Sequence, residues 1–326
     1  MGSQLPTRHI LSGLCGEIKL RLQRNQMSNM TESAQQATIV GSPAVAVADA
    51  TITEFLNTVG KPRLDPYRTF FGCSSERELL GAYLWGQAIA SAFTPLVSTV
   101  EIVLRNAIHR EASLFSSQGA SASHPWYDFT RTDAFRVQGK SREKIAALLY
   151  DQPYSASPTR KAVQPAADQV VASLSFGFWP AFLEGISKAQ RPRLLTNIFV
   201  GHPHSTPKHW SHQPNVDRLI ATLKKVRDLR NHISHYEPVW KPHRLTGREP
   251  NWTHSVGSLK NLHAEVLDML GWCCQSAPQI YKAIHGARYF KRLCSTNAVR
   301  VFMADPFATV QIEALPVVAP AVVQAK

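Results

Sequence analysis

Residues 75 to 115 read SERELLGAYLWGQAIASAFTPLVSTVEIVLRNAIHREASLF, and the spacing of their apolar side chains decides the fold class. Leu79, Leu80, Tyr83, Leu84, Ala88, Ile89, Ala92, Phe93, Leu96, Val97, Val100, Val103, Leu104, Ala107 and Ile108 recur at threes and fours, the period of a buried helix face. Pro95 interrupts the run. It has no N–H to donate and its ring crowds the preceding turn, which predicts two helices or one kinked one. The same period predicts further helices over Arg142–Tyr150, Ala166–Leu174, Phe182–Lys188, Asp217–His235, Ser258–Gln275 and Pro278–Phe290. Pro/Ser/His-rich pieces at 119–125, 152–165 and 201–214 read as loops. Alternating strand patterns are missing, so the class is all-α, with room for a short strand only over Ala298–Met303.

With 326 residues and 44% hydrophobic content the chain can bury a sizeable core. Residues 1–48 lack sustained periodicity and end in the featureless stretch GSPAVAVA, which predicts a disordered extension. The helical domain is expected over 49–292, and 293–326, rich in Pro, Val and Ala at its far end, as a C-terminal tail. No membrane span and no signal-peptide core are expected, which leaves a cytoplasmic protein without a membrane partner. Cys15, Cys73, Cys273, Cys274 and Cys294 are odd in number and contain no C-x-x-C pair, against a disulfide framework or a zinc finger. The formal net charge is +13, and residues 215–295 alone carry thirteen Lys/Arg against six Asp/Glu. A polyanion such as RNA is the partner that this field favours.

That basic quarter contains Leu229-Arg230-Asn231-His232-Ile233-Ser234-His235-Tyr236-Glu237-Pro238. The preceding helix is expected to start after Asn215 as N-cap, with Val216, Leu219, Ile220, Leu223 and Val226 as its buried stripe. Arg230, seven residues beyond Leu223, falls on the middle of that face. His235 lies about 140° further round, and Pro238 disfavours helical geometry at Glu237, so the helix should end near His235 or Tyr236. An imidazole titrates near neutrality and a guanidinium fork matches phosphate oxygens. Together they suit RNA cleavage without metal or cofactor. His235 would take the proton of the ribose 2′-hydroxyl, Arg230 would hold the charge building on the phosphoryl oxygens, and Asn231 would orient either group. The required acid is His232 or the His235 of a second subunit in a homodimer. The plainer alternative from the same residues is an Arg230 satisfied in an ion pair and a His235 that is only a helix-terminal cation.

The segment resembles the signature of HEPN ribonucleases in the form found in Abi-like abortive-infection proteins. Two further stretches are similar to that family: Tyr83-Leu84-Trp85 through Val100-Glu101-Ile102-Val103-Leu104-Arg105-Asn106-Ala107-Ile108-His109, and Leu174-Ser175-Phe176-Gly177-Phe178-Trp179. The matches fall in the family's order over about residues 75–275. The resemblance implies an HEPN-like helical bundle, a metal-independent endoribonuclease, and a role in phage defence or as a growth-arresting toxin, with Arg230, Asn231 and His235 as the site. Relatives often carry an aliphatic residue or Arg where His232 stands and His where Tyr236 stands, so neither residue receives a role by analogy. A non-catalytic RNA-binding protein governed by a small RNA or an antitoxin is the alternative.

Glu101, Arg105 and His109 stand four apart on one line of an otherwise apolar helix. Glu101 or Arg105 would pack beside Arg230 and position it; an internal salt bridge and a helix-packing His109 are the bland alternative. His202, His204, His209 and His212 cluster in a loop without a nearby Cys or a helical i,i+4 pair, and no metal is assigned to them. Phe176-Gly177-Phe178-Trp179 reads as core packing at a helix junction. Lys224, Arg227, Arg288, Lys291 and Arg292 are the expected phosphate contacts, with Tyr281 and Tyr289 interleaved on the last helix.

Overall fold

The computed structural model describes residues 47–128, 135, 137, 139–153, 158–241 and 251–307. The described residues are all-α. In chain order the helices are α1 (Asp49–Val59), α2 (Lys61–Phe71), α3 (Glu76–Ser116), α4 (Gly139–Leu149), α5 (Ala167–Ser173), α6 (Phe178–Gly185) and α7 (Arg191–Ile198). There follow α8 (Pro207–Trp210), α9 (Gln213–Ser234), α10 (Trp252–Cys273), α11 (Ala277–Ala283), α12 (His285–Leu293) and α13 (Thr296–Ala304). An isolated antiparallel bridge pairs Tyr150 with Arg160.

The element that organises the rest is α3, a single helix of 41 residues, or about 60 Å at 1.5 Å per residue. It starts on Ser75, whose hydroxyl accepts from the Glu78 N–H at 3.1 Å. Pro95 does not divide it. Phe93, Leu96 and Val97 are buried on either side of the proline, and Thr99 Oγ1 and Ser98 Oγ donate to the Pro95 carbonyl at 2.6 and 3.2 Å. Burial along the whole helix outweighs the roughly 3 kcal/mol that an interior proline costs.

α1, α2, α7, α9, α10, α12 and α13 all pack on α3. Three small or aromatic positions set how closely. At Gly81 an added Cβ would stand 1.9 Å from the Phe302 carbonyl oxygen, so α13 lies directly on the α3 backbone. At Gly86 it would meet the Tyr67 hydroxyl of α2 at 2.6 Å. Trp85, fully buried, donates from Nε1 to the Leu293 carbonyl of α12 at 3.0 Å.

Several expectations are corrected here. Ala298–Met303 is helical, not extended: Ser295 caps α13 by accepting from the Ala298 N–H at 3.1 Å, and Val299 is buried. The compact unit spans Ala46–Phe307, so folded chain continues past the tail boundary drawn at residue 292. The single helix expected over 278–290 is two, because Ile284 adopts an extended ψ of 158° between α11 and α12. The α6 helix begins at Phe178, four residues before the expected start, and α8 interrupts the 201–214 loop. α9 starts at Gln213 rather than after Asn215, and Asn215 Nδ2 instead donates to the His209 carbonyl of α8 at 3.0 Å. α1, α2 and α7 carry no sequence signal named above. Residues 1–46 and 308–326, where extensions are expected, lie outside the described residues. Among the described residues one helix, α3, is long and apolar enough to cross a membrane by length and composition. That departs from the expectation of no such run; Trp85, Ile89, Phe93, Leu96, Val100 and Leu104 are buried, while Ile102 is exposed.

Candidate functional site

α9 carries the central residues at its C-terminal end. Its buried stripe is Val216, Leu219, Ile220, Leu223, Val226 and Leu229. Leu229 takes the next inward place, so Arg230 sits at the margin of the stripe and not at its middle as the wheel predicted. The side chain is 37% exposed, and Nε approaches Glu101 Oε2 of α3 at 3.4 Å. Of the ridge on α3 it is therefore Glu101 that packs beside Arg230. The contact uses Nε alone. The two terminal nitrogens of the guanidinium have no protein partner among the described residues, which leaves the fork open for a bidentate anion.

The helix ends as Pro238 predicts. Ser234 is its last residue and His235 its C-cap, with φ −97° and the backbone N–H donating to the Asn231 carbonyl at 2.9 Å. Tyr236 follows in the left-handed region at φ 56°, where glycine is usual. Its N–H donates to the Ile233 carbonyl at 3.2 Å and that of Glu237 to the His232 carbonyl at 2.7 Å, the paired bonds of a Schellman termination. Arg63 of α2 donates to the Tyr236 carbonyl. Four residues on, the buried Trp240 ring lies 4.7 Å from Phe70 and 4.9 Å from both Tyr67 and Phe71. The α9 terminus is thus fastened to α2 from below while His235 and Tyr236 face solvent. His232 Nε2 stands 3.4 Å from Glu237 Oε2, across the same turn. The side chains of Asn231 and His235 have no hydrogen-bond or ion-pair partner among the described residues.

His109 is separate from this group. It is buried, and its Nδ1 accepts from Trp126 Nε1 at 2.9 Å, so it packs the helix as the bland alternative held. Arg105 faces a cavity with His109 instead of pairing with Glu101. Lys224 is 3.1 Å from Glu184 and Arg227 is 2.7 Å from Asp228, so both expected phosphate contacts are partly neutralised by neighbours. Arg288 and Lys291 are exposed on α12 and Arg292 is half-buried there. Tyr281 is not part of that surface: it is buried and its hydroxyl lies 3.0 Å from His263 Nε2. Phe176, Phe178 and Trp179 are core residues, as expected. Arg63, Glu237 and Asp168 were not singled out in the sequence; only proximity in the fold draws attention to them.

His202, His204 and His209 lie with ring centroids 5.1–6.0 Å apart, and Trp272 and Trp210 rings flank His202 at 4.7 and 5.0 Å. Burial, with His209 and His204 beside it, pulls the His202 pKa down to about 4. Its Nδ1 accepts from the His204 N–H at 3.2 Å, and His209 Nδ1 faces the Asn215 amide at 3.2 Å. Accepting at Nδ1 puts the proton of a neutral ring on Nε2, which removes that nitrogen's lone pair from metal binding. Among the described residues no group of three or more His, Cys, Asp or Glu is arranged to hold a metal ion. Comparison with protein-family models, with curated proteins and with solved structures gave no match to this chain.

Proposed function

We propose that the chain is an Abi-like HEPN protein that cleaves RNA in the cytoplasm without a metal, in phage defence or as a growth-arresting toxin. The observation that carries the reading is a guanidinium held by a carboxylate at one nitrogen and open at the other two, on the helix turn that ends in an uncommitted imidazole. Glu101 fixes where Arg230 points without consuming its fork. Arg230 then holds two non-bridging oxygens of the scissile phosphate. His235 accepts the 2′-hydroxyl proton, O2′ attacks phosphorus in line, and the bond to the 5′ oxygen breaks. The products are a 2′,3′-cyclic phosphate and a 5′-hydroxyl, once the departing oxygen receives a proton. His232, held against Glu237, supplies that proton within one chain; the His235 of a second copy supplies it in a homodimer. Asn231, half-buried and without another partner, orients the phosphate.

The test is incubation of wild type and His235→Ala with mixed RNA and DNA in EDTA. Cleavage of RNA alone, lost in the variant, is the expected result. Equal RNA binding by both proteins with no cleavage refutes the enzyme and favours the non-catalytic RNA-binding alternative, restrained by a small RNA or an antitoxin.

A further inference from the structure

One helical turn along α3 from Glu101, away from the ion pair with Arg230, a cavity of about 350 Å³ opens between α3 and α5. At roughly 30 Å³ per water it has room for about ten, enough for a purine ring. Arg105, Asn106 and His109 line one side; Asp168 and Val171 line the other. The ring of His109 is only 7% exposed, and with Nδ1 committed to Trp126 its remaining nitrogen, Nε2, is a buried donor without a partner. Burial lowers the His109 pKa, so the ring stays neutral near pH 7 and Nε2 carries the single N–H. Arg105, Asn106 and Asp168 are likewise without hydrogen-bond or ion-pair partners among the described residues.

We propose that this cavity seats a guanine base of the RNA, beside the phosphate held by Arg230, with Asp168 as the residue that selects it; the placement beside a scissile phosphate rests on the nuclease reading above. The walls demand a ligand with acceptors on one edge and donors on another. Arg105 only donates, and the Asp168 carboxylate only accepts. Guanine presents O6 and N7 as acceptors and, on its pairing edge, N1–H and the 2-amino group as adjacent donors. The Asp168 carboxylate accepts from both of those donors at once. Adenine has an acceptor at N1, which a carboxylate repels, and uracil has one N–H flanked by two carbonyls. The Asn106 amide serves either edge, and Val171 gives the ring an apolar face. Arg105 and Glu101 are four residues apart, a rise of about 6 Å, which is the spacing of a base from its neighbouring phosphate.

Calorimetric titration of the full chain with 5′-GMP, 5′-AMP, 5′-UMP and inorganic phosphate tests the inference without any cleavage. GMP is expected to bind at least about tenfold more tightly than the others, the discrimination of one good bidentate pair. Asp168 is exposed, so Asp168→Asn should fold normally by circular dichroism, and it should lose the preference for GMP while keeping weak binding of all nucleotides. Equal binding of the three nucleotides, phosphate binding as tight as GMP, or a preference that survives Asp168→Asn overturns it. GMP selectivity in a chain that cuts no RNA would leave this pocket standing and remove the nuclease. RNA cleavage without GMP binding would do the reverse.

Discussion

Substituting Gly81 by Ala puts one methyl group at the point where α13 crosses α3. The added Cβ would lie 1.9 Å from the Phe302 carbonyl oxygen, 2.5 Å from its carbon and 2.7 Å from Met303 Cα. All three atoms are backbone, so no rotamer change relieves the clash; α13 must withdraw by more than an ångström. Its buried residues, Ala298 and Val299, would then lose contact with α3. Overpacking of this kind costs about 1–3 kcal/mol, and a clash with backbone belongs at the upper end. In a folded unit of this size that corresponds to a Tm lower by about 4–6 °C. Gly257 in α10 is the matched control, since it is helical and an added Cβ there meets nothing within 4 Å. Gly257→Ala should stabilise by up to about 1 kcal/mol, the propensity difference alone. Urea unfolding of both variants, with the midpoint and slope compared to wild type, is the assay. A Gly81→Ala protein as stable as wild type would show that α13 does not rest on α3, and the folded boundary would move back towards residue 292.

Tyr236→Gly should stabilise the fold by about 1 kcal/mol in urea, because the left-handed backbone costs a side chain that much and the exposed ring contributes little packing; a loss of stability would mean the ring is buried in an assembly. Burial depresses the His263 pKa to about 4, so the folded state resists a proton that the unfolded chain accepts below about 6.5. Stability is therefore full above pH 6.5 and falls as the pH drops from there towards 4, by about 1–2 kcal/mol after allowance for the partial exposure of the ring. His263→Leu should flatten that part of the stability profile, and an unchanged slope would exclude His263 as its source. Glu101→Gln removes the charge beside Arg230 but keeps the shape; RNA cleavage should fall roughly tenfold while the urea midpoint moves by less than about 1 kcal/mol. Unaltered cleavage would remove Glu101 from the site.

Periodicity made the long helices legible, but their starts less so. Ser75, Asn251 and Ser295 each cap a helix by accepting from the N–H three residues on, whereas the one N-cap expected, Asn215, lies inside α9. Pro238 did announce the end of α9. What stayed hidden depends on tertiary contact. Nothing in the residues around Ile284 marks a break; the chain turns there as Gly286 comes against the Pro95 ring, where a Cβ would be 3.1 Å from Cγ. Pro95 itself is tolerated because α3 is buried along its length. Ala298–Met303 left room for a short strand, yet the segment docks on Gly81 as a helix. At the site, the Arg230–Glu101 contact joins residues 129 apart, and spacing on each helix offered only a choice between Glu101 and Arg105. Asp168 carries no local signal at all. It gains meaning only from the cavity it shares with Arg105 and His109.

The central claim is that Arg230 and His235 cleave RNA through its own 2′-hydroxyl. The most direct measurement uses an end-labelled RNA oligonucleotide in EDTA and the same oligonucleotide with 2′-deoxyribose at the cut position, each with wild type, Arg230→Ala and His235→Ala. Wild type should cut only the all-ribose strand and leave a 2′,3′-cyclic phosphate, with both variants slowed at least about a hundredfold, as expected for loss of a general base or of charge stabilisation. Cleavage of the deoxy-substituted strand, or full activity in His235→Ala, would contradict it.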